Sequence, residues 1–247
     1  MPDQFAGYKG QRWRWTYGAV QILRGHWRSL LPWSKSNLTA GQKFHFITGW
    51  MPWFTDALHL LFTLAGVAWT IGILVRPQDF EVPLKVFLLP TLGLFVFKVA
   101  HALILYRARV KCTFLQSLAA SVAGMGLTHT IARAIFTGLL QPSHPFLRTP
   151  KGENRPALIK GILMAMEETQ IFILLWASAA ASVWFFGIHN PEGMLWASLL
   201  LVQSIPYGAA LATSMASSMP RLHQMAPKLG GLLPRFLTLR TRRTPLG

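Results

Sequence analysis

Residues 57–75, ALHLLFTLAGVAWTIGILV, carry no formal charge over 19 consecutive positions. Wound as a helix at about 1.5 Å per residue, such a run is roughly 28 Å long, close to the hydrocarbon thickness of a bilayer. In lipid, a segment must satisfy its own backbone hydrogen bonds, which a helix does and a lone strand does not. The rest of the chain agrees: 52% of its 247 residues are hydrophobic and 13% charged, with a mean hydropathy of +0.36. That is too apolar for one ordinary soluble core. The fold class expected is therefore an all-α membrane protein.

Upstream of this run, FHFITGWMPWFTD is rich in Trp and Phe, the residues that anchor a helix at the water–lipid interface. The first span is expected to start there and bend at Pro52. Residues 84–106 make a second candidate span, with Lys98 and His101 inside it and the basic run Arg107, Arg109 and Lys111 after it. Two further apolar stretches, 157–187 and 193–219, are joined through Ile188-His189-Asn190-Pro191-Glu192 and read as a helical hairpin. Residues 115–140 are long enough to cross, yet contain Gln116, His129 and Arg133, and periodicity alone does not decide their role.

Charge placement does discriminate. Segment 1–43 has Lys9, Arg12, Arg14, Arg24, Arg28, Lys35 and Lys43 against Asp3, a balance of +6. Segment 141–156 has Arg148, Lys151 and Arg155 against Glu153, a balance of +2, and the tail from Pro220 adds six arginines and lysines with no acid. The loop with Arg76, Asp79 and Glu81 sums to −1, and Glu192 sits in the other short connection. Basic segments favour the cytoplasmic side. All of them fall there if 115–140 lies along the membrane surface, whereas a crossing 115–140 would put the +2 loop and the tail on opposite sides. The expected organisation is four spans plus amphipathic interface helices, with both termini cytoplasmic: an interface segment 1–43, a first hairpin 44–106, a basic loop and interface helix 107–140, a cytoplasmic segment 141–156, a second hairpin 157–219 and a basic tail 220–247. The first 43 residues hold no apolar core followed by a small-residue cleavage site, so no signal peptide is expected.

The formal charge of +16 would suit a nucleic-acid binder, but the charges flank spans instead of forming one stripe, so no nucleic-acid partner is expected. Cys112 is the one cysteine, which excludes an intrachain disulfide and any cysteine-cluster metal site. Asp56 and His59, at i, i+3, are expected to pair with each other on one helix face, and two ligands are too few for a zinc site. Glu167 and Glu168 are interfacial if the third span starts near Thr169, and otherwise face a polar path through the bilayer. Trp50, Trp53, Trp69, Trp176, Trp184 and Trp196 suit an interface belt, core packing or a stacking surface equally well.

The densest polar-aromatic cluster is Gln11-Arg12-Trp13-Arg14-Trp15. As plain chemistry it suits an interface anchor, with indoles at headgroup depth and guanidinium groups on lipid phosphate. The same groups also bind a diphosphate through arginine forks and a sugar through an indole face. This run resembles the Gln-x-x-Arg-Trp motif of processive family-2 glycosyltransferases, the cellulose synthase and bacterial β-glucan synthase group. A second string, Phe146-Leu147-Arg148-Thr149-Pro150-Lys151-Gly152, resembles that family's Phe-x-Val-Thr-x-Lys-Gly gating loop, with Arg148 in place of Val. The order of interface helix, two spans, interface helix, loop, two spans and tail is also similar to the family's C-terminal membrane region.

The resemblance implies that Gln11, Arg14 and Trp15, with Arg12 beside them, contact the donor diphosphate and the acceptor end of a growing β-glucan. It also implies that Phe146, Thr149 and Lys151 close over a nucleotide sugar, UDP-glucose being the expected one. A divalent cation, Mg or Mn, is expected in the complete enzyme, but its ligands are not expected in this chain. The acidic residues are Asp3, Asp56, Asp79, Glu81, Glu153, Glu167, Glu168 and Glu192, with no Asp-x-Asp pair and no Thr-Glu-Asp. The catalytic carboxylates would lie on an upstream or separate cytosolic glycosyltransferase domain, the chain being a fragment or split subunit in the bacterial inner membrane. The alternative is a non-enzymatic polytopic component, a permease or assembly subunit.

Overall fold

The structure is a computed structural model in which residues 5–109, 113–141 and 158–218 are described. Within them the chain forms eight helices and no strand: α1 (Phe5–Leu30), α2 (Ala40–Val75), α3 (Leu84–Arg109), α4 (Phe114–Met125), α5 (Thr128–Leu140), α6 (Leu158–Met164), α7 (Met166–Phe186) and α8 (Pro191–Ser218). Four of these, α2, α3, α7 and α8, are long and apolar enough to cross a membrane, and the chain is a multi-pass membrane protein.

Helix α2 has 36 residues, about 54 Å at helical rise, so it outruns a hydrocarbon core of roughly 30 Å. It starts at Thr39, whose hydroxyl accepts from the Gln42 N–H while the Gln42 side chain accepts from the Thr39 N–H, a reciprocal cap. Pro52 lies inside it and removes one ladder donor. The helix continues through it, and the Thr55 hydroxyl donates to the Pro52 carbonyl at 2.6 Å.

The candidate interface stretch resolves into two helices. Helices α4 and α5, of 12 and 13 residues, are each about 20 Å long or less and too short to cross. They meet at Gly126, where α8 passes so close that a Cβ would stand 3.0 Å from the Ala210 Cα and 3.1 Å from its amide nitrogen. The other required glycine is Gly187, with φ +78 and ψ 155, which turns α7 into α8 through a conformation almost confined to glycine.

The α7–α8 hairpin forms the heart of the bundle, with α2 and α3 packed against it. Leu175, Ala179, Trp196, Leu200 and Tyr207 meet Val67 and Phe87 in one core. A second cluster joins Phe5 and Val20 of α1 to Ala57, Leu127, Ile131, Ile135 and Ala210, and it seats α1 on α5. Polar chemistry fixes that seat: Gln21 Nε2 and Arg24 Nη1 each donate to the Gly138 carbonyl at 2.9 Å, and Tyr17 donates to the Gln141 carbonyl at 3.2 Å. Carbonyls at a helix C-terminus lack intrahelical partners and attract cations, so α1 caps α5. Large apolar side chains such as Leu89, Val96, Ile104 and Ile173 are exposed along the spans, as lipid contact requires.

The expected stretch 157–187 differs in one respect, since it is interrupted at Ala165, with φ −114 and ψ 32, between α6 and α7. Glu167 and Glu168 therefore occupy the first turn of α7.

Candidate functional site

A cleft of about 180 Å³ opens between α1, α2, α3, α4 and the start of α5. Tyr8 and Arg12 reach it from α1, Trp53 and Asp56 from α2, and Lys98, His101 and Tyr106 from α3. Tyr8 and Arg12 arrive together because they are four residues apart on one helix face. The Arg12 guanidinium donates to the Tyr8 hydroxyl at 3.2 Å and lies 5.6 Å from the Tyr8 ring and 5.4 Å from that of Trp15, close enough for cation–π attraction. Trp15 is 55% exposed. The wall of the cleft carries an ion pair, Lys98 with the buried Asp56, and the Lys98 ammonium also donates to the Thr128 hydroxyl. A carboxylate in such a place needs this partner, because an unpaired buried charge is costly.

The residues picked out by sequence are thus divided. Arg12 lines the cleft and Trp15 stands beside it, whereas Gln11 and Arg14 are half-buried on α1 and do not belong to the lining. Trp13 turns away and stacks on Tyr17, centroids 5.1 Å apart. Phe146, Thr149 and Lys151 lie outside the described residues.

Other side chains differ from the sequence reading. Asp56 and His59 do not pair with each other: Asp56 meets Lys98, while His59 Nε2 lies 3.1 Å from the Gln203 carbonyl, to which it donates. Of the six tryptophans, Trp53 lines the cleft. Trp196 is fully buried, donates to the Thr70 hydroxyl at 3.0 Å and meets Phe87 edge-on, so it is core packing. Trp184 is 83% exposed on the bundle surface.

Outside the cleft lining, the first turn of α7 holds two carboxylates aimed in different directions. Glu168 is fully buried and receives Lys9 of α1 at 2.7 Å. Glu167 accepts from His129 at 3.0 Å and pairs with Arg133, both on α5. Burial pushes the His129 imidazole below its ordinary value of 6.5, although Glu168 and Glu167 pull the other way. Lys98 is marked in the sequence as a charge inside a span but its pairing with Asp56 is not, and Lys9 is not marked at all, because a lone lysine carries no spacing signal. Among the described residues no group of three or more His, Cys, Asp or Glu is placed to hold a metal ion.

Comparison with known proteins finds no matching family model, no similar characterised protein and no similar solved structure.

Proposed function

We propose that this chain is the membrane part of a processive β-glycosyltransferase, and that the cleft under α1 is the cytoplasmic mouth of a saccharide path. The observation that carries this reading is the convergence of Arg12, from the Gln-x-x-Arg-Trp segment, with Trp53 and the Asp56–Lys98 pair around one cleft. Aromatic rings offer their faces to the C–H side of a sugar, a carboxylate accepts from its hydroxyls and an ammonium donates to its oxygens. Trp15, exposed next to Arg12, is placed to stack on an incoming acceptor sugar. Thr149 and Lys151 supply a hydroxyl and a positive charge for a diphosphate; Gln11 and Arg14 stand on α1 outside the cleft lining, and a donor-side role for them is supported by the motif alone.

In this reading the chain binds and guides. Bond formation belongs to a cytosolic glycosyltransferase domain on the same or another polypeptide, whose carboxylates would hold Mg or Mn on the nucleotide sugar and take up the acceptor proton. The setting is a bacterial inner membrane, with the α1 end facing the cytoplasm.

The test is polymer formation. Membranes carrying this chain together with a family-2 catalytic domain, supplied with UDP-glucose, are expected to make β-glucan, and Arg14→Ala or Trp15→Ala is expected to reduce output by about tenfold or more. Undiminished polymer in both variants removes the proposed roles. Retention of the chain's cellular function after both motifs are altered supports the non-enzymatic reading.

A further inference from the structure

The consecutive carboxylates Glu167 and Glu168 bind two different helices, and the direction of each is informative. Glu168 receives Lys9 of α1, Nζ to Oε1 2.7 Å and Nζ to Oε2 2.9 Å, and the same ammonium donates to the Met164 carbonyl at 3.2 Å. Lys9 is therefore inserted at the break between α6 and α7, where Met164 is the last residue of one helix and Glu168 stands in the first turn of the next. Glu167 is taken by His129 and Arg133 of α5. Helix α5 is itself capped by Gln21 and Arg24 of α1. Helix α1 is thus tied to the span bundle by polar contacts at three points: directly through Lys9, directly through the Phe5 N–H, which donates to the Ser217 hydroxyl of α8 at 3.4 Å, and indirectly through α5.

These ties are not needed to hold α1 down, because Phe5, Ala19 and Val20 already bury an apolar face. Apolar contacts, however, are tolerant of small shifts along a helix, whereas a buried ion pair is directional. A desolvated pair of this kind often contributes little net stability, since an apolar pair of similar volume replaces it at no loss. Lys9 is adjacent to Tyr8 and three residues from Arg12, the two α1 residues that line the cleft.

We infer that the Lys9–Glu168 contact positions α1, setting the height of Tyr8 and Arg12 over the cleft. Lys9 and Glu168 are positioning residues: neither lines the cleft, and they act through Arg12. This inference rests on the reading of the cleft as a saccharide site, and its structural half is tested separately.

The experiment uses the full chain in nanodiscs with Cys112→Ser and spin labels at the exposed positions Ala6 on α1 and Ala216 on α8. The distance distribution between labels is measured alongside binding of cello- and laminari-oligosaccharides by calorimetry. Lys9→Met alone leaves Glu168 buried and unpaired and is prone to misfold, so the decisive variant is Lys9→Met with Glu168→Met. It is expected to keep or raise the melting temperature, to shift or broaden the distance distribution, and to weaken oligosaccharide affinity about tenfold. Lys9→Arg, which keeps a cation for Glu168 and a donor for the Met164 carbonyl, is expected to leave both readouts close to those of the unsubstituted chain. A double-Met variant with an unchanged distance distribution overturns the positioning role, whatever happens to stability. An unchanged affinity despite a shifted distribution likewise removes the coupling to the cleft. If the unsubstituted chain binds no oligosaccharide, the saccharide reading fails, while the distance measurement still decides whether Lys9 and Glu168 set α1.

Discussion

Lys98 lies well inside α3, where an ammonium without a partner would be strongly disfavoured. Its pairing with Asp56 and Thr128 resolves that, and it makes the wall of the cleft polar. Removing one partner leaves the other buried alone, so Lys98→Met is expected to destabilise the protein by about 3–5 kcal/mol. Lys98→Met with Asp56→Leu should recover most of that loss, both measured by denaturation in detergent micelles. His129 makes a second prediction at this scale. Its Nε2 donates to Glu167 and its Nδ1 is buried. Around it stand Glu167 and Glu168 from α7, Lys9 from α1, Arg133 on its own helix and Tyr207 from α8. A folded value below 6.5 means that the folded chain binds fewer protons than the unfolded one. This contribution is complete above pH about 6.5 and is lost as the pH falls through the unfolded and then the folded value. Melting temperatures measured between pH 5 and 8 should fall on the acid side, and His129→Gln should flatten that fall; an equal slope in the variant counts against the assignment.

At the scale of elements, two corners between helices depend on a glycine backbone, one through close approach at Gly126 and one through a positive φ at Gly187. Gly126 stands against the Ala210 backbone, which has no flexible side chain to yield. Gly126→Val is therefore expected to cost about 1–3 kcal/mol through overpacking, visible as a lower melting temperature. Gly187 turns α7 into α8 with φ +78, and Gly187→Ala should cost about 1–3 kcal/mol for strain alone, since nothing stands within 4 Å of its would-be Cβ. A neutral outcome there would mean that the turn adopts another conformation in lipid.

For the whole molecule, four spans place the connections after α2 and after α7 on one face of the membrane and the α1–α2 connection on the other. Single cysteines at Gln78, Asn190 and Ser36 in a Cys112→Ser background test this with a membrane-impermeant maleimide. Gln78 and Asn190 are expected to label in intact cells, and Ser36 only after permeabilisation. Labelling of Gln78 and Asn190 from opposite faces would mean that the α4–α5 segment crosses.

What the sequence determined by itself is the helical class and the four long apolar helices, because length and the absence of charge act on each segment alone. Residues 57–75 needed no neighbour to be read as a span. The break at Ala165, the corner at Gly126 and the partners of the charged residues were decided by tertiary structure. Asp56 and His59, three residues apart, part company because Lys98 comes from another helix and the Gln203 carbonyl from a third. Glu167 and Glu168 are neighbours in sequence, yet one is sealed by Lys9 and the other is shared by His129 and Arg133. Periodicity places a side chain on a face, but only packing says which element that face meets, and for a buried charge the partner decides both its cost and its use.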